Sequence, residues 1–219
     1  MIKFFHLLIF AGFFWETSKA QKIEIFGGPN WNKFYDQKKN SHLVSSYTPG
    51  LGFSFGIGID SFRKERFQYR LSLQMDNYTG KLISTANYSG SGSTVKARVN
   101  KTILSFGFFP VNLRFRNMLD INFGLEYSRL VHQSYIGIAD TWDLQFSRSS
   151  NSYDLSKQHI SYKNYYGLKS RIALDLIIWK SISISPQYLI YFGSNEFKRF
   201  SLGTRSVRHS ICIGIKKSV

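Results

Sequence analysis

From Lys22 onward, apolar residues alternate with small or polar ones along stretches of about ten residues. A period of two sends successive side chains to opposite faces of an extended chain, so the pattern predicts strands with two unlike faces. The clearest stretch sets Leu51, Phe53, Phe55, Ile57 and Ile59 against Gly50, Gly52, Ser54, Gly56, Gly58 and Asp60. Phe67, Tyr69, Leu71, Leu73 and Met75 repeat it against Gln68, Arg70, Ser72, Gln74 and Asp76, and Leu119, Ile121, Phe123, Leu125 and Tyr127 against Asp120, Asn122, Gly124, Glu126 and Ser128. Leu168, Ile172, Leu174 and Leu176 predict a sixth strand, Ile182, Ile184, Tyr188, Ile190 and Phe192 a seventh, and Val207, Ile211, Ile213 and Ile215 an eighth.

Weaker strands run from Lys22 to about Phe34 and from about Arg98 to Phe115. In the latter the phase slips, from Leu104, Phe106 and Phe108 to Phe109, Val111, Leu113 and Phe115. A bulge near Pro110 explains both the slip and the tolerated proline.

The connections set the topology. Long segments at 35–47, 80–96, 132–161 and 194–205 alternate with short ones at 61–66, 116–118 and 179–180. That alternation predicts an eight-stranded antiparallel up-and-down β-barrel with both termini at the short-turn end, the arrangement of transmembrane barrels with brief turns on one side and long outer loops on the other. After the first twenty residues no run of 18 apolar residues occurs, which excludes a membrane protein built of spanning helices.

Charge decides which face meets lipid. The face opposite the bulky residues carries Glu24, Asp60, Asp76, Asp120, Glu126 and Asp175 with Arg70, Lys101, Arg114, Lys169, Arg171, Arg208 and Lys216. Near-balance of acids and bases predicts ion pairs inside a narrow barrel filled by side chains. The Phe, Leu and Tyr side chains of the other face are too many for such an interior, but facing lipid they need no shared space. Arg129 and His209 are the apparent exceptions on the lipid face, and both fall near outer strand ends. Tyr78, Tyr127, Tyr165, Tyr166, Tyr188 and Phe192 are expected as an outer aromatic girdle, with Phe67, Phe115 and Trp179 as the inner one.

Residues 1–20 read as a secretory signal: Lys3 gives a positive start, Phe4 to Trp15 an apolar stretch too short to span, and Ser18-Lys19-Ala20 a cleavage site. The domains expected are this signal and a single barrel domain over 21–219. A lone Cys212 forms no internal disulfide, so the strand ladder must hold the fold. The net charge of +16 suits anionic lipid headgroups, including lipopolysaccharide; export makes nucleic acid the weakest partner class.

Candidate chemistry is sparse. His132, Ser134 and Glu126 lie close in sequence, and His159 and Ser161 sit further along the same long connection. A hydrolase needs hydroxyl, imidazole and carboxylate in mutual reach, and nothing in this spacing demands it. His42, His132, His159 and His209 have no metal-ligand spacing. We therefore expect no catalytic, metal or cofactor site. The longest connection and the strand after it carry Tyr135, Trp142, Phe146, Tyr153 and Tyr162 among Arg148, Lys157 and Lys163, a mixture suited to a protein or glycan partner.

The chain resembles the PorT-like branch of the small outer-membrane β-barrel proteins, similar in size to the OmpA and OmpX barrels. The likeness lies in the opening Gln21-Lys22-Ile23-Glu24-Ile25-Phe26-Gly27-Gly28, in Ile103 to Arg116 with Pro110, in Asp120 to Glu126, and in Pro186-Gln187-Tyr188-Leu189-Ile190-Tyr191-Phe192-Gly193. The resemblance implies a Gram-negative cell envelope, an outer-membrane place and a barrel shape, without a reaction. The expected function is an outer-membrane barrel with a structural or loop-mediated binding role and no open pore. The alternatives are an accessory component of a secretion apparatus and a lipid-modifying enzyme.

Overall fold

The computed structural model describes residues 21–35, 43–62, 68–89, 91–116, 118–143, 148–154, 164–194 and 205–218. The predicted signal segment and Phe67 lie outside them. The alternating stretches form β1 (Gln21–Tyr35), β2 (Leu43–Pro49), β3 (Leu51–Phe62), β4 (Gln68–Tyr88), β5 (Ser91–Phe115), β6 (Leu119–Asp143), β7 (Arg148–Asp154), β8 (Asn164–Leu174), β9 (Leu176–Trp179), β10 (Ile182–Ser194) and β11 (Arg205–Ser218).

The ladder is antiparallel and runs β11, β1, β3, β4, β5, β6, β8, β10, and β10 then pairs with β11. Lys22 opposite Ser218 and Tyr35 opposite Arg205 zip the first strand to the last. β9 prolongs β8 beyond Asp175 and pairs with β10, and β2 precedes β3 across Gly50. The ring therefore has eight strands, each joined to its neighbour in sequence and closed end to end, which leaves no free edge around the wall.

The two faces sort as their residues dictate. Leu51, Leu125 and Ile213 are exposed by 75%, 59% and 62% on the outside, while all six predicted acids are buried within. Among the described residues, no Asp, Glu, Lys or Arg takes an outward position in 23–31, 51–59, 69–79, 102–115, 119–127, 164–174, 182–194 or 207–215. A soluble fold buries its bulk and wets its charge. This wall does the reverse, as a transmembrane barrel must, where Lys or Arg at mid-depth costs roughly 2–4 kcal/mol.

Several boundaries differ from the sequence reading. Segment 80–96, expected as a long connection, is a hairpin: β4 runs to Tyr88, and β5 starts at Ser91. Most of 132–154 is likewise strand, in β6 and β7. β4, β5 and β6 rise beyond the barrel and, with β2 on β4 and β7 on β6, make a protruding five-stranded sheet in the order β2, β4, β5, β6, β7. Their polar and Gly-rich composition masks them, because away from lipid both faces of a strand tolerate polar residues.

Smaller shifts follow from local geometry. The last short turn is Lys180-Ser181, with Trp179 already paired to Ile182. Arg116, at φ 49°, makes the left-handed bend of the 116–118 turn. The bulge near Pro110 is present between Phe108 and Val111, but Phe109 belongs to the interior, wholly buried, and Pro110 and Val111 are the residues that share the outside. A second bulge, opposite Thr102 and Ile103, places Val131 outside and shifts the phase of β6 above it.

Candidate functional site

Bare positions on one strand make room for long side chains on the next. The Arg70 guanidinium lies where a Cβ at Gly58 would stand, the Phe26 ring where one at Gly56 would, and the Glu24 carboxylate where one at Gly214 would. Eight strands enclose a space only as wide as such side chains, so they meet across it.

At the short-turn end Lys216 Nζ donates to both Asp175 oxygens at 2.7 and 2.9 Å and to Asp120 at 3.2 Å, with Asp60 at 3.6 Å. Arg114 lies 3.4 Å from Asp120 and 3.6 Å from Asp175. Above them Arg70 joins Glu24 to Asp60, at 2.8 Å from the latter, and Arg171 reaches Glu24 at 3.2 Å, Asn122 at 2.8 Å, and Gln187. Next, Lys169 donates to Gln74 at 2.8 Å and pairs with Glu126 at 2.6 Å, and Gln74 and Ser54 both donate to Asp76. Arg208 closes the stack, donating to Glu126 and to Ser128 at 2.7 Å with its guanidinium 3.6 Å over the Tyr191 ring.

Tyr78, Ile103, Leu130, Tyr165 and Tyr191 form a greasy lid over this polar stack, with Tyr47 packed against it. The lid corrects the expected girdle. Tyr78 and Tyr165 point inward, 1% and 2% exposed, whereas Tyr127, Tyr166 and Phe192 face out as expected, and Phe115 and Trp179 do so at the other end. Tyr188 stays on the outer wall, where its hydroxyl lies 2.6 Å from His209 Nδ1, and Trp31 stacks on the other side of that imidazole. Outside the span, burial at the mouth pushes the Tyr47 phenol up to about 12, with Tyr135 adding to the rise, so it stays a neutral donor to the Thr79 carbonyl. Between lid and stack lies a cavity of about 10 Å³ lined by Gln74, Asp76, Tyr78, Glu126, Tyr191 and Arg208, room for about one water molecule.

Among the described residues, His132, Ser134 and Glu126 are not brought together. Glu126 is sealed in by Arg208 and Lys169, whereas His132 is exposed on the outer wall and Ser134, though buried, shares the His132 face of β6, so the wall separates imidazole and hydroxyl from carboxylate. His159 and Ser161 lie outside the described residues, as do His42, Phe146, Lys157, Tyr162 and Lys163. Among the described residues no group of three His, Cys, Asp or Glu could hold a metal. Of the outer aromatics proposed to meet a partner, Trp142 is exposed and Tyr135 is half-buried.

No family model matches the chain, and no curated protein does. Among solved structures, Neisserial surface protein A is 11% identical, with 91% of this chain and 99% of that one covered and a TM-score of 0.39. The attachment invasion locus protein Ail of Yersinia pestis, in complex with the heparin analogue sucrose octasulfate, is 9% identical over 90% and 98%, with a TM-score of 0.38. The outer membrane protein OprG of Pseudomonas aeruginosa is 12% identical over 90% and 96%, with a TM-score of 0.42.

Proposed function

We propose that this chain is an integral outer-membrane protein with a structural or binding role carried by its outer segments, no enzymatic activity, and a lumen closed by its own side chains. The observation that carries this reading is the uncharged apolar wall around the whole ring, opposite an interior in which every acid is buried. A surface of that size has no aqueous use, and only strands closed into a ring satisfy their backbone groups in hydrocarbon. Short turns at one end and strands prolonged at the other support an outer-membrane orientation with the prolonged end outward. The ion pairs and the tyrosine lid across the lumen support a barrel that does not conduct.

Expression with an affinity tag, separation of inner from outer membranes, and reconstitution into planar bilayers test it. The protein should sediment with outer membranes, require detergent for extraction, and give no steady conductance. Recovery as a soluble protein without detergent overturns the membrane reading, and stable ion currents overturn the closed lumen.

A further inference from the structure

The protruding sheet continues the outer wall of the barrel upward, and its outward face carries a group of cations with no partner among the described residues. Lys81 on β4 is directly opposite Arg98 on β5, and Lys96 lies two residues along from Arg98 on the same face. All three are exposed, and among the described residues no ion pair or hydrogen bond engages any of them. Like charges directly opposite in a ladder destabilise it, so this arrangement favours an anion from elsewhere. Two described carboxylates take positions on this face of the protruding sheet, Asp140 opposite Thr94 and Asp154 opposite Ile136, two strands from Arg98, and no ion pair joins Asp140 to Lys96.

Further along the same face Trp142 lies over Gly92, its ring taking the place of a side chain there and remaining 41% exposed. An exposed indole plate beside hydroxyl-bearing Thr85 and Thr94 is a surface that a sugar ring can pack on. Cations and a flat aromatic on one rigid sheet together match an acidic glycan.

Height and direction select its source. Met75 and Leu104, the last apolar outward pair of this ladder, lie six residues below Lys81 and Arg98. At about 3.3 Å per residue and a tilt of about 40°, the cations stand on the order of 15 Å above the apolar belt. Because the face prolongs the wall, it looks sideways across the membrane surface, into the headgroups of neighbouring lipids and not up toward another cell. We propose that this face binds the phosphate-bearing sugars of outer-leaflet glycolipids, with Lys81, Lys96 and Arg98 taking the anionic groups and Trp142 a sugar ring. The inference rests on the outer-membrane reading above and gives its lipid contact an address.

The test uses the full chain in neutral detergent, titrated calorimetrically with micelles of phosphorylated lipopolysaccharide, with the same material after enzymatic dephosphorylation, and with heparin as a soluble polyanion. Dephosphorylation should weaken binding at least about tenfold, and the combined Lys81→Ser, Lys96→Ser and Arg98→Ser variant should weaken it on the order of a hundredfold, each basic residue near an anionic surface contributing about fivefold. Trp142→Ala should weaken binding while leaving its salt dependence unchanged. Heat-modifiable electrophoretic migration verifies that each variant is folded, and Lys96→Ser alone, expected to lose about fivefold, replaces the triple variant should that fail to fold. Equal binding of both micelle types, wild-type binding by the substituted protein, or binding of heparin without glycolipid overturns the site. A chain that is soluble without detergent overturns the outer-membrane reading instead, so the two failures are distinguishable.

Discussion

The Arg70 guanidinium on β4 donates to the Glu24 carboxylate on β1, passing over Gly58 of the strand that separates them. Strands that share no ladder are thereby tied across the lumen. The tie exists because glycine leaves the intervening wall bare, and a side chain at that position has no space. Gly58→Leu should displace Arg70 and destabilise the barrel by about 1–3 kcal/mol, the usual cost of overpacking a filled interior. Urea unfolding in detergent micelles, followed by tryptophan fluorescence, measures it, and an unchanged midpoint would show that Arg70 is not where the geometry puts it.

Glu24 serves two arginines, since Arg171 also donates to it. Glu24→Ala leaves two buried guanidinium groups competing for Asp60 and neutral partners. Removing one partner of a buried pair costs about 3–5 kcal/mol, more than the pair itself contributes relative to apolar residues. The combined variant Glu24→Leu, Arg70→Met should therefore be less damaging than Glu24→Ala alone. The same unfolding experiment ranks the two, and the reverse order would argue against an enclosed, water-poor lumen.

The lipid wall makes an opposite demand. Leu73 pairs with Ile57 on one side and Phe106 on the other and is half exposed near mid-wall, so Leu73→Arg should cost about 2–4 kcal/mol. Trp179→Arg, at the short-turn rim, should cost about 0–1 kcal/mol by charge placement alone. In a soluble protein both positions would be ordinary surface and neither substitution would exceed about 0.5 kcal/mol. Folding measured in bilayers separates these outcomes.

Much of this was legible because the barrel enforces one rule along its whole wall. Parity alone places Asp60, Arg70 and Asp76 inside and Phe53, Leu73 and Met75 outside, and hydrocarbon makes that sorting strict. The same parity assigns Tyr78 to the side of Asp76, and Tyr165 to the side of Lys169 and Arg171, whereas residue type alone points to an interfacial girdle. Above the membrane the rule lapses. Lys81 to Tyr88 alternates only weakly, and in Ser91 to Asn100 the alternation of Val95, Ala97 and Val99 with Thr94, Lys96, Arg98 and Asn100 is short, built of small apolar residues, and turns its apolar side inward, the reverse of the lipid-facing rule lower in the wall. The phase shift at Val131 is a further loss: an extra residue in β6 opposite Thr102 and Ile103 leaves no composition signal, unlike the proline that marks the first bulge.

Cys212 reports on all of this at once. It is free, 1% exposed, and packed with Phe26 and Leu189 on the face it shares with Arg208, Ser210 and Lys216. If that face lines a filled lumen, the folded protein should resist both a charged maleimide from water and an apolar one from the detergent or bilayer phase, while the urea-unfolded chain reacts fully. Labelling rates before and after unfolding should differ by orders of magnitude. The two reagents also divide the ways of being wrong: rapid reaction with the charged reagent would put the ionic face in water, and with the apolar reagent alone it would put Cys212 on the lipid wall. The first result removes the filled lumen, and the second reverses the sorting of β11, the strand that closes the ring against β1.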